Sequence, residues 1–417
     1  MRRVIIEAIQ AREIINGRGI PAVEVEVITN NNLCGLASSP SGTSTSAHEA
    51  VDIRDGGQRF MGKGVQKAVQ NIREHIAPRI IGMDVTDQQG IDHSLIELDG
   101  TPNKSNLGGN TLTAVSLAVA KAAALSLKVP LYEYLGGAKD FRLPVLCPNM
   151  ISGSITAGNQ LDFEDYLIVP FGFNEMREAI RAGVEVFHTL HQMLVNKFGP
   201  IPQVTALAPP LRSTIEALDI IQTAIRDAGY EGKVGLGIDA ASGLFYNERK
   251  GTYKLKQGDL TKDDLIAYYE DLTRTYPIIF LEDGLHEDDF EGFAELTKKL
   301  NCLVVGDDLF ATNRERILRG IKHHAGNAVL FKVNQAGTVS EALKAAEIAH
   351  NNNYTIISSV RSGETDDSGQ ADLAVAVGAK LMKVGAPIRG EMVTKYNRLL
   401  RVEEELGEYA DFWGKYF

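Results

Sequence analysis

The sequence predicts an α/β protein in two parts, a smaller N-terminal α+β domain and a C-terminal barrel of (β/α)8 type. Two observations carry this. After Pro144, short apolar runs recur with helical stretches between them: VLCPNM, DYLIVP, VGLGIDA, PIIFLEDG, LVVGDD, AVLFKVN, TIISSV and KLMKVGA. Short strands alternating with helices imply a parallel sheet, and eight of them suggest a closed one. Before Pro144 the pattern differs, with an alternating strand and hairpin chemistry followed by helices. The expected boundaries are 1–137 for the first domain and 142–417 for the barrel, which would hold the catalytic residues.

In the first domain, AVEVEVIT puts Val23, Val25 and Val27 on one face and Glu24, Glu26 and Ile28 on the other. That is a strand with one exposed face, preceded by a turn at Asn16-Gly17-Arg18-Gly19. The stretch from Ala37 to Ser46 is small and polar, and reads either as a plain surface loop or as a mobile lid with hydroxyls for a metal or anion. Helical patterns run from Gly64 to Ile76 and from Asn110 to Leu127, the second capped by Asn110 or Thr111. Gly136-Gly137 and the extended Phe141–Pro144 mark the boundary.

In the barrel, residues 303–334 read as strand, helix and strand, with Gly306-Asp307-Asp308 closing the first strand and Lys332 near the end of the second. Parallel strands end on the same face, so Asp307 and Lys332 emerge together, where a barrel keeps its chemistry. An open doubly wound sheet is the rival fold, but no G-x-G-x-x-G follows a strand, so a dinucleotide site has no support.

Composition narrows the function. Hydrophobic residues make up 44% and charged residues 23%, with a formal charge of -11. That balance argues against nucleic acid or an anionic membrane as partner. The three cysteines, Cys34, Cys147 and Cys302, are far apart and share no ligand spacing, which suits reduced thiols in a cytoplasm. The N-terminus is charged throughout and does not read as a signal peptide. The longest apolar stretch, broken by Lys121, reads as too polar to span a bilayer.

The ends of the apolar runs carry Asp239, Glu282, Asp307, Lys332, Arg361 and Lys383, about one βα unit apart. Three carboxylates brought together repel one another unless a cation joins them. Magnesium fits, because it takes few carboxylates and leaves room for substrate and water. The cationic residues on the later strands suit a small anionic substrate.

Longer motifs add to this reading. PSGTST with EAVDIRDG, LIELDGTPNKSNLGGN, GIDAAS, LEDGLHEDDF, GDDLFATN, FKVNQAGTVSEAL, RSGETDD, KVGAP and LLRVEEEL resemble the enolase family nearly end to end. The resemblance implies an N-terminal α+β capping domain on a (β/α)8-type barrel, and a homodimer or higher homo-oligomer. It implies one structural Mg2+ ion held by Asp239, Glu282 and Asp307, with a second ion arriving with substrate and met by Ser44 of the lid. Lys332 matches the base that removes the proton α to a carboxylate, and Lys383 the cation beside that carboxylate. Arg361 and Ser362 match phosphate contacts, while Asp165 and Thr156 match an acid and a histidine that face the substrate.

The departures from the family fall in the site. A glutamate that assists loss of hydroxyl aligns with Val204, the histidine with Thr156, a second glutamate with Asp165 after Glu164, and another histidine with Val360. General-acid help is worth about 10²–10⁴-fold, so its loss is expected to change the outcome. The expectation is an enolate-forming lyase acting on a phosphorylated or phosphonylated acid with a reaction other than ordinary dehydration, similar to carboxyphosphonoenolpyruvate synthase. The alternatives are ordinary phosphopyruvate hydratase and a non-catalytic scaffold of the same fold.

Overall fold

A computed structural model of the chain describes every residue except 1–2, 44, 138–139, 154–156 and 159–160. Strands β1 (Ile6–Ile15), β2 (Pro21–Thr29) and β3 (Cys34–Ser38) form an antiparallel sheet in that order. The alternation in β2 sorts its faces as expected. Val23, Val25 and Val27 are fully buried. Glu24 and Glu26 lie opposite, each 2.7 Å from an Arg12 nitrogen.

The sheet packs on a long helix. Helix α1 (Gln88–Asp99) precedes it, and α2 (Gly109–Leu127) is the core element of this half. Neither Asn110 nor Thr111 is its N-cap. Gly108 takes that position, and the Asn110 amide instead bonds the backbone N–H and C=O of Ile53, each at 3.1 Å. By length and composition α2 is apolar enough to cross a membrane, contrary to the reading of its polarity, but 78% of its most apolar window is buried inside the protein. Its apolarity serves packing against β2 and β3.

The eight apolar runs supply the eight strands of a closed barrel. These are β4 (Val145–Ser152), β5 (Asp165–Pro170), β6 (Val234–Asp239), β7 (Ile278–Glu282), β8 (Leu303–Gly306), β9 (Ala328–Phe331), β10 (Thr355–Ser359) and β11 (Leu381–Val384). They close in chain order, with β11 beside β4. The sheet is not uniformly parallel, as the alternation had implied. Strand β5 runs antiparallel to both β4 and β6. The connections explain this. Strand β5 starts at the end where β4 finishes, with Asp165 paired to Ser152. Two helices, α3 (Met176–Phe198) and α4 (Thr214–Asp227), then separate β5 from β6. One crossing helix would restore the parallel direction; a pair going up and back does not.

From β6 onward most strands are followed by a helix: α5 (Lys262–Thr275), α6 (Phe290–Lys299), α7 (Arg314–His323), α8 (Val339–Asn351), α9 (Gly369–Ala376) and α10 (Gly390–Leu406). Thr261 and Asp264 form a reciprocal capping box on α5, and Asn313 caps α7.

Candidate active site

The carboxylates arrive on neighbouring strands. Asp239 ends β6 and Glu282 ends β7, directly opposite each other in register. Asp307 follows the last residue of β8. Asp165 reaches the same end for the opposite reason. It is the first residue of the reversed strand β5, paired with Ser152 on one side and Asp239 on the other. Lys332 follows β9, Lys383 lies in β11, and Arg361 follows β10.

These groups surround a cavity of about 400 Å³, whose lining includes Asp165, Asp239, Asp307, Lys332, Arg361 and Lys383. Glu282 is fully buried behind them. Lys383 Nζ donates to Asp239 and, at 3.0 Å, to both Glu282 oxygens, and lies 3.9 Å from Asp165. Lys332 Nζ donates to Asp307, whose other oxygen accepts from Gln335 Nε2 at 2.8 Å. The turns that follow are tight: Ala241, Asp283, Ala311 and Thr312 all adopt positive φ, between 44° and 47°. Non-glycine residues in that region cost about 1–3 kcal/mol each and persist only where surrounding contacts hold them. Asp283 shows how. Its two oxygens accept the backbone N–H groups of Asp307 and Asp308 at 3.0 and 2.8 Å.

The electrostatics follow from burial and crowding. Burial, with Asp239 beside it, pushes Glu282 well above the usual carboxylate range. Burial alone would lower Lys383, but Asp239, Glu282 and Asp165 outweigh it and raise it. Burial would likewise raise Asp307, yet the cations of Lys332 and Arg361 hold it down. Glu164, also on the cavity wall, is pushed up to about 8 by burial and by the Asp239 and Asp165 carboxylates. Asp165 is raised to about 6, chiefly by burial, against the pull of Lys383. The three carboxylates, Asp239, Glu282 and Asp307, supply hard oxygen donors that fit a divalent cation such as Mg2+, which would take over from the two lysines part of the balancing of their charge. Asp283, Asp307 and Asp308 also bring ligand oxygens within 4.8 Å of one another.

The N-terminal half completes the mouth. Ser41 and Thr43 are docked on the barrel, and not spread on the surface. Ser41 and Gly363 exchange backbone hydrogen bonds at 3.0 and 2.9 Å, and the Thr43 hydroxyl meets that of Ser362. The hairpin turn joins in: Gly17 N–H donates to Glu364 O at 2.8 Å, and Arg18 donates to Thr43. Arg361 is buried against Glu49. Ser44 and Thr156 lie outside the described residues. Val204 and Val360 do face the cavity, and Arg389 grips the Val204 carbonyl at 2.6 Å.

Several contributors escaped the sequence reading. Gln335 stands in the KVNQ motif, and Asp283 in a doubled acid beside Glu282, so both had a signal. Asn149, which donates to Asp165, is hidden within an apolar run. Glu49 had none, because its partner is 312 residues away.

A barrel mouth that sets carboxylates against lysines beside an α+β half suits an enzyme acting on a small anionic acid, and its relatives make it a carbon–oxygen lyase. The comparisons narrow that class. Residues 6–135 match the family described as "Enolase, N-terminal domain", and residues 140–417 match "Enolase, C-terminal TIM barrel domain". The enolase of Methanopyrus kandleri is 50% identical over 415 residues, covering 98% of this chain and 97% of that protein. The enolase of Methanocaldococcus jannaschii is 50% identical, with 96% of each chain covered. That of Pyrococcus furiosus is 48% identical, covering 99% and 97%. The chain belongs to the enolase family.

These relatives overturn the expected change of reaction. Proteins this similar from end to end carry the name enolase, and support the ordinary dehydration instead. The expectation gave too much weight to Val204; Glu164 and Asp165, the acids that ordinary dehydration would call on instead, line the same cavity.

Proposed function

We propose that the protein is an ordinary phosphopyruvate hydratase, removing water from 2-phosphoglycerate to give phosphoenolpyruvate. The observation that carries this is one cavity holding Lys332, Lys383 and Arg361 together with buried carboxylates. A proton α to a carboxylate is very weakly acidic, and its removal needs prearranged positive charge where negative charge develops.

Lys332 is the base. Lys383 faces the substrate carboxylate, and Arg361 and Ser362 receive the phosphate. Glu164 hands a proton to the departing hydroxyl, and the Asp239 and Asp165 carboxylates beside it help burial to keep that proton on it. Each fits its position on the cavity wall. Asp239, Glu282 and Asp307 would hold Mg2+, whose chemistry is to neutralise the substrate carboxylate as the C–H bond breaks. A second ion met by Ser44, and a substrate contact from Thr156, extend the same reading by resemblance. So do the 1–137 and 142–417 division and a homodimer. Three free cysteines suit a cytoplasmic setting.

The test is incubation with 2-phosphoglycerate and Mg2+, following phosphoenolpyruvate by absorbance and α-proton exchange in D2O by NMR. Turnover that is lost with a chelator and restored by Mg2+ is the expected result. No phosphoenolpyruvate from this substrate at any Mg2+ concentration would sink the reading.

A further inference from the structure

We propose that Glu49 is a positioning residue for Arg361, and that it ties Arg361 to the N-terminal loop ending at Ser46. This rests on the substrate reading above and deepens it at the phosphate end. Both side chains are buried, with residue exposures of 6% for Glu49 and 4% for Arg361. Arg361 Nη1 donates to Glu49 Oε2 at 2.7 Å, and Nη2 to Oε1 at 3.3 Å. Two such bonds fix the plane of a guanidinium, which one bond leaves free to swivel. Oε1 also accepts the backbone N–H of Ser46 at 3.0 Å.

Glu49 is itself framed. His48 Nε2 lies 3.1 Å from Asp288 Oδ1, and Ala50 N–H donates to Gln335 O at 2.8 Å. The backbone of Arg361 is held separately. Its N–H donates to Glu364 Oε1 at 2.9 Å, and Glu364 pairs at 2.8 Å with Lys395, which is fully buried. The barrel thus holds the backbone of Arg361 and adds a long contact to its guanidinium, Nη1 to Asn334 Oδ1 at 3.4 Å, while Glu49 of the N-terminal half makes the shorter, two-point contact.

A carboxylate beside an arginine has two effects on an incoming anion, and they oppose each other. Its charge weakens the attraction. Its geometry sets the guanidinium in advance, so less side-chain freedom is lost on binding. The inference is that geometry dominates, and removing the charge separates the two.

The experiment measures inorganic phosphate binding by calorimetry, and KM for 2-phosphoglycerate, in the parent, Glu49→Gln and Glu49→Asp proteins. Glu49→Gln is expected to weaken phosphate binding and raise KM by about fivefold or more, the loss of a well-placed hydrogen bond. Glu49→Asp keeps the charge on a shorter arm and falls between. A smaller folded fraction would lower stoichiometry and kcat but leave Kd and KM alone. Parental Kd and KM in Glu49→Gln, or tighter phosphate, overturns the inference, because the carboxylate then only balances charge. If that variant does not fold, Glu49→Asp decides by the same two constants: weaker supports, parental overturns. A parent that neither binds phosphate nor turns over fails the substrate reading and takes this inference with it. A parent that does both, matched by its variants, sinks this inference alone.

Discussion

Lys332 and Glu164 line one cavity; the proposed function gives them opposite duties, base and acid, and two substitutions test that assignment. Lys332→Ala removes the base, so α-proton exchange in D2O and phosphoenolpyruvate formation should both fall, by about 10²–10⁴-fold. Glu164→Gln leaves the base in place. Exchange should persist near the parental rate while phosphoenolpyruvate formation falls by a similar factor. Exchange lost equally in both variants would remove Glu164 from the role of acid. At this scale the sequence showed the acids and lysines that end apolar runs, because a parallel strand delivers its last residue to the mouth. Asp165 obeys no such rule. It begins its strand, and only resemblance pointed to it.

Among the elements, β5 and α2 show where pattern reading stops. An apolar run reads the same in either direction, so DYLIVP announced a strand but not its reversal. The connection decides direction, and two helices in succession do not reveal whether they carry the chain across or back. Helix α2 was legible as a helix, but its depth was not. Its alanine-rich face lets β3 approach until a Cβ added at Gly35 would lie 2.2 Å from Ala118 O and 2.4 Å from Ala122 N. Both are backbone atoms, which cannot rotate away. Gly35→Ala must therefore push strand and helix apart. Overpacking of this kind costs about 1–3 kcal/mol, to be read as a lower midpoint in thermal or urea denaturation. An unchanged midpoint would mean the sheet shifts freely on α2.

At the scale of the whole molecule, buried polar ties hold the two halves together. Asp367 of the barrel accepts from Lys121 Nζ on α2 at 2.6 Å and from the Ser38 N–H of β3 at 3.0 Å, as well as from Gly369 N–H. Burial alone would raise this carboxyl, but Lys121 and these donors hold it below its usual value. A lowered folded-state pKa stabilises fully above the unfolded value, near about 4, and the gain is lost as pH falls through the folded value. Asp367→Asn is expected to cost about 2 kcal/mol at neutral pH, the worth of a charge-assisted bond. It should also flatten the loss of stability between about pH 5 and pH 3. Denaturant midpoints across that range check both. An acid limb as steep as the parent's would show that other carboxylates carry it.

The amino-acid sequence by itself determined the strands, the long helices and the side chains that carry charge to strand ends, because these depend on local periodicity. The tertiary structure alone decided the direction of β5, the docking of Ser41 on Gly363 and of Thr43 on Ser362, and the pairing of Glu49 with Arg361. Each depends on contacts between segments far apart in the chain.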